Sequence, residues 1–142
     1  MKVVIADPKQ GKSYQTEIDE NKSKTFYGLK IGNEFDGSLI GLTGYKLKIT
    51  GGSDKEGFPM RPDVTGTDRR RVLLSCGPGF KKKTKGERRK KAVRGNTFSE
   101  EINQVNVSVM TPGAKPITEL VTLTPKVEKV AKPEKKGKKK GG

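Results

Sequence analysis

The chain has 142 residues, a net charge of +15, no histidine, no tryptophan and one cysteine, Cys76. One small domain plus a tail fits that length. Without histidine the usual general base at neutral pH is missing, and a lone cysteine makes neither an internal disulfide nor a zinc site of the usual ligands.

In chain order, Lys2 to Ala6 is a β-branched run and predicts a buried strand, ending at Asp7-Pro8. Tyr14, Thr16 and Ile18 alternate with polar neighbours and predict a second strand closing a hairpin. Asp19 to Tyr27 is polar, with room for one helical turn. From Gly28 to Gly44 glycines recur at short intervals and exclude a long helix; short strands or extended loops are expected at Ile31 and from Phe35 to Ile40. Tyr45, Leu47 and Ile49 alternate with Lys46, Lys48 and Thr50, which predicts a half-buried strand. Gly51-Gly52-Ser53-Asp54 breaks it, and Gly57 to Pro62 is a loop stiffened by two prolines. Arg71 to Cys76 predicts a strand centred on Val72-Leu73-Leu74. Val105, Val107 and Val109 mark the last clear strand, with a short one expected near Leu120 to Leu123. About six short strands and little helix indicate a mostly-β fold, read as a small β-barrel-like domain over 1–125. Residues 126–142 are a Lys-rich, low-complexity tail that cannot build a core and is expected to be disordered on its own.

Charge is unevenly distributed. Residues 1–68 sum to zero, 69–94 hold twelve basic residues against one acid, and 126–142 carry +6. The densest run is Lys81, Lys82, Lys83, Lys85, Arg88, Arg89, Lys90, Lys91 and Arg94, with Glu87 as its one acid. Such density repels itself unless a polyanion lies beside it, and a phosphate backbone is the commonest one in a cell. The plain alternative is a solvated helix or mobile loop, but ordinary soluble faces mix signs and this run does not. Neither basic block carries the interleaved Leu, Trp or Phe of an interfacial helix, so a membrane is not the expected partner. No run approaches the roughly 20 apolar residues of a membrane span, and the N-terminal apolar run is too short for a signal peptide. Arginines fork onto phosphate oxygens or stack on bases, while lysines act as point charges. Candidate RNA-binding residues beyond the run are Lys55, Phe58 and Arg61 in the proline-braced loop, the triplet Arg69, Arg70 and Arg71, and Asn96. Gly79, Gly86 and Gly95 are read as points where backbone approaches RNA closely. Phe80 either stacks on a base or packs in the core.

Enzyme signals are weak. Gly11-Lys12-Ser13 resembles the end of a phosphate loop, but Ala6 stands where that motif needs glycine. Cys76 reads as core or edge packing. Asp54 with Glu56, and Glu100 with Glu101, read as partners that orient arginines or cap turns, in preference to a Mg²⁺ site. No catalytic residue, metal ligand, cofactor or small-molecule substrate is expected.

Three stretches are specific: L-T-G-Y-K-L-K-I-T-G-G-S-D-K-E-G-F-P-M-R-P-D-V (Leu42 to Val64), R-V-L-L-S-C-G-P-G-F (Arg71 to Phe80) and K-G-E-R-R-K-K-A-V-R-G-N (Lys85 to Asn96). They closely resemble the "S-six-e" ribosomal protein family of the archaeal and eukaryotic small subunit, with a likeness running from about Lys2 to Met110. The resemblance implies a compact β-barrel-like domain on small-subunit ribosomal RNA, in the cytoplasmic ribosome, with a structural role and no catalysis. Neighbouring ribosomal proteins are implied as further partners. Eukaryotic members carry a long basic helical extension with kinase-targeted serines. The Lys-rich end here has no serine, so an archaeal-type member is expected and that phosphoregulation is not carried over. The alternative is a free nucleic-acid-binding regulator or assembly adaptor.

Overall fold

A computed structural model describes residues 1–113 and 115–120. The elements run β1 (Lys2–Asp7), β2 (Lys12–Glu17), α1 (Glu20–Ser23), a 3-10 turn (Lys24–Phe26), β3 (Glu34–Asp36), a second 3-10 turn (Gly37–Ile40), β4 (Lys46–Asp54), β5 (Arg69–Leu74), β6 (Arg89–Arg94), β7 (Ile102–Thr111) and α2 (Ile117–Leu120). The mostly-β class expected from the sequence holds. The described strands do not close a barrel, however. They form an open five-stranded sheet in the order β2-β1-β7-β4-β3 and a separate two-stranded sheet, β5-β6.

The sheet grows from its sequence pattern. The β-branched run of β1 folds back on β2, and the turn is fixed by buried Asp7, whose Oδ1 accepts from the Lys9 and Gln10 amides at 2.9 and 3.3 Å. β1 pairs in parallel with β7, and β4 runs antiparallel to β7. The β4–β7 register shifts between Ile49 and Gly51, leaving Thr50 as an extra residue whose hydroxyl donates to the Asn106 carbonyl at 3.0 Å. Val3, Ile5, Leu47, Ile49, Val105 and Val107 are each at most 1% exposed and project from one face. Burying a side chain of this size stabilises by about 1.5–3 kcal/mol, so this face is the largest favourable contribution to the fold. Phe26, Ile40, Leu42, Tyr45, Met60, Phe98 and Ile117 cover it.

Gly52, in β4, lies beneath that cover. A Cβ there would sit 2.5 Å from the Gln104 carbonyl oxygen and 3.1 Å from Met60 Sδ. Crowding, and not a positive φ, is what requires glycine at this position. Gly51 meets nothing within 4 Å.

β5 and β6 leave the sheet between β4 and β7 as an antiparallel hairpin, with Arg69 opposite Arg94 and Leu74 opposite Arg89. A second, smaller core of Leu74, Phe80 and Val93, flanked by Val64 and Val72, lies against it. Phe80 therefore packs in a core, which resolves the two readings of that residue. The run Arg89–Arg94, which composition reads as loop or helix, is a strand. Leu120 closes α2 rather than opening a strand, and the rest of that expectation, with the tail 126–142, lies outside the described residues.

Candidate nucleic-acid interface

The hairpin is held at its base by ion pairs. Arg94 is 5% exposed at its side chain; it donates from Nη1 to Asp54 Oδ2 at 3.2 Å, from Nη2 to Glu101 Oε2, and from Nε to the Thr67 carbonyl at 3.0 Å. Arg69 donates to the same Asp54 Oδ2 at 2.8 Å and to Glu56 Oε2 at 2.7 Å, and its guanidinium carbon lies 4.3 Å from the centroid of the Phe58 ring. The other Asp54 oxygen accepts from the Glu56 and Phe58 amides at 2.9 Å each. Asp54 thus both caps a turn and orients two arginines, the role expected of it. Burial pushes its carboxyl up, but the Phe58 amide and the guanidinium groups of Arg69 and Arg94 outweigh that and hold it below the usual aspartate range.

The proline-braced loop is stitched to the same strand. Arg94 donates its amide to the Pro59 carbonyl at 2.9 Å, and the Arg61 amide donates to the Arg94 carbonyl at 3.0 Å. The Arg61 side chain forks onto Asp63 at 3.0 and 2.9 Å and reaches the Pro78 carbonyl at 3.1 Å. Asn96 donates from Nδ2 to the Pro62 carbonyl at 3.3 Å.

These contacts set part of the expected RNA-binding set apart from the rest, because its members have partners within the chain. Arg94 is interior, and every one of its side-chain nitrogens already has a protein acceptor. Arg61, 13% exposed at its side chain, ties the loop to the Gly77–Pro78 turn. Arg69 is committed to Asp54, Glu56 and the face of Phe58. Gly95 admits no Cβ because one would lie 2.0 Å from the Gly66 carbonyl oxygen, so the backbone it approaches is this chain's own. Cys76, expected as packing, is exposed.

The other cations stay at the surface, on both faces of the hairpin and in its loop. Arg70, Arg71, Lys90 and Lys91 are exposed along the hairpin, Lys81, Lys82, Lys83, Lys85 and Arg88 are exposed in and beside its loop, and Lys55 is exposed at its base. Arg89 is 60% exposed at its side chain although it pairs with Glu87 at 2.7 Å. Glu87, the one acid of the run, is turned inward: its Oε2 accepts from the Lys83 amide at 2.8 Å. That amide, and then the charge of Arg89, hold the carboxyl below the usual glutamate range. The acid closes the loop on itself and leaves the lysines facing out. Counting charges cannot find this, although a single acid in so basic a run is the signal that would point to it.

Among the described residues no group of three or more His, Cys, Asp or Glu is placed to hold a metal ion, and no helix is long and apolar enough to cross a membrane.

A sheet domain whose interior charges anchor a two-stranded arm with exposed cations defines a class: a small, mostly-β protein with a cationic hairpin. Residues 1–122 match the model of the family described as ribosomal protein S6e. The chain is 57% identical over 122 residues to the small ribosomal subunit protein eS6 of Methanocaldococcus jannaschii, covering 86% of this chain and 91% of the relative. It is 56% identical over 120 residues to the protein of that name from Methanothermobacter thermautotrophicus, covering 84% and 94%. A third, from Methanocella arvoryzae, is 50% identical over 128 residues, covering 90% and 88%. The chain belongs to the ribosomal protein S6e family, whose members are structural ribosomal proteins and not enzymes.

Proposed function

We propose that this protein is a structural constituent of the small ribosomal subunit, in the cytoplasmic ribosome, and that it binds and stabilises ribosomal RNA through the β5–β6 hairpin and its loop. The observation that carries this is the sorting of charge on the arm. Arg61, Arg69 and Arg94 meet acids of the body. Arg70, Arg71, Lys81, Lys82, Lys83, Lys85, Arg88, Lys90 and Lys91 are exposed instead, and none of them pairs with an acid among the described residues. So dense a cluster of unneutralised cations is costly in isolation and favourable on a phosphate backbone, where each phosphate met releases a condensed counterion. Family membership and the names of the archaeal relatives support the ribosomal setting. Residues 126–142 are read as a separate basic tail after the domain of 1–125, and their further +6 adds to the attraction for a polyanion.

The test is binding of the full chain to small-subunit ribosomal RNA across a salt series. Tight binding that falls steeply with salt, together with co-sedimentation with small subunits, is expected. Recovery only in the free protein fraction, or affinity indifferent to salt, would refute the assignment and favour a free regulator.

A further inference from the structure

The two faces of the hairpin differ, and one holds an anomaly. Residues directly opposite in an antiparallel pair share a face, and alternate residues along a strand do too. The register therefore puts Val72, Leu74 and Val93 on one face, over the small core, and Arg71, Leu73, Lys90 and Ala92 on the other. Leu73 is 62% exposed on that second face. It stands directly opposite Lys90, with Arg71 two residues before it on the same side. A large apolar side chain left mostly in water at the centre of a cationic ribbon belongs to neither core of this fold.

Resting on the RNA-binding reading above, we propose that Leu73 is an apolar contact residue for that RNA: it seats against ribose carbons or an unstacked base while Arg71 and Lys90 hold the flanking phosphates. Three arguments favour RNA over a protein neighbour. The flanking groups are cations, with no acid on this part of the face, which complements a polyanion. A duplex of RNA offers a wide, shallow minor groove lined by sugars, which a protruding side chain can reach, whereas its major groove is too deep and narrow. The strand pair is also fastened at its base by the Asp54 network, so Leu73 is held in place before binding and little entropy is lost in seating it.

The experiment compares the wild-type chain with Leu73→Ala, Leu73→Met, Arg71→Ala and Lys90→Ala on a small-subunit ribosomal RNA transcript, over a range of salt. Leu73→Ala is expected to weaken binding about fivefold to tenfold at every salt concentration without changing the salt slope, because the group removed is apolar. Leu73→Met should restore most of the affinity. Arg71→Ala and Lys90→Ala should each reduce the slope by about one. Thermal unfolding of Leu73→Ala should match wild type, since the side chain is outside both cores. Wild-type binding by Leu73→Ala to the bare transcript would overturn the proposal, and so would a defect appearing only when other subunit proteins are present, which would place Leu73 against a protein. Absence of binding by the wild-type chain itself would sink the RNA reading, and this inference with it.

Discussion

Arg94 and Asp54, forty residues apart in sequence, meet at 3.2 Å with side chains only 5% and 1% exposed. Their contact joins the base of the hairpin to the end of β4. Both charges are out of water, so each depends on the other and on Arg69, Glu101 and the Glu56 and Phe58 amides. Removing one member leaves the other buried charge with fewer partners, at a cost of up to about 3–5 kcal/mol, the figure for a buried pair broken outright. Arg94→Ala and Asp54→Ala should each lower the denaturant midpoint severely. The double variant should be less destabilised than the sum of the two. Additive losses in a double-mutant cycle would show that the pair is not coupled.

The same carboxyl sets an acid limit. Its folded pKa lies below the ordinary aspartate value of 3.8, so the unfolded chain takes up this proton first as pH falls. The stabilisation is therefore complete above about pH 4 and is lost as pH drops from there through the lowered folded value. Stability measured against pH should fall on the acid side, and Asp54→Asn should flatten that part of the profile while lowering the plateau. An identical acid limb in the variant would remove Asp54 from this role.

On the outer surface the expectation is opposite. Arg88→Ala, Lys90→Ala and Lys91→Ala touch no interior partner, so the triple variant should unfold at the same denaturant concentration as wild type. Its RNA affinity should drop and its salt slope should shrink by roughly 2–3, at about 0.7–0.9 for each phosphate no longer neutralised. An unchanged slope would place the RNA elsewhere.

Backbone crowding provides a contrast within one dipeptide. Gly52→Ala pushes a methyl to 2.5 Å from the Gln104 carbonyl oxygen, whereas Gly51→Ala meets nothing within 4 Å. Overpacking of this kind costs about 1–3 kcal/mol or more, because the obstacle is backbone. Gly51→Ala should stay within about 0.5 kcal/mol of wild type by chemical denaturation. Equal losses at the two positions would contradict the placement of Gly52 against β7.

Strands are legible in the sequence where side chains alternate. β7 and the first half of β4 have apolar residues at every second position, β1 is a continuous β-branched run, and β2 sets Tyr14 and Thr16 among polar neighbours. β6 is hidden because consecutive cations read as solvent: Arg89, Lys90 and Lys91 carry charge on both faces, and only Val93 marks the buried side. The openness of the sheet is not legible either, since local alternation sets which face is buried and says nothing of which strands end as edges. Within the interface, the cations of the loop can be counted from the sequence, but Arg61, Arg69 and Arg94 cannot be told from them. Their partners Asp63, Asp54, Glu56 and Glu101 come mostly from other elements, and only the fold brings them within hydrogen-bonding reach. Leu73 reads as the centre of a strand between apolar Val72 and Leu74, yet a two-stranded hairpin has only one face to bury.

The placement of RNA on the hairpin is read out by protein–RNA cross-linking in intact small subunits. Nucleotides should attach to the exposed residues between Arg70 and Lys91, with Arg94 silent. Cross-links confined to the five-stranded sheet and its turns, for example at Lys9, Lys12 and Lys46, with the hairpin unlabelled, would contradict it.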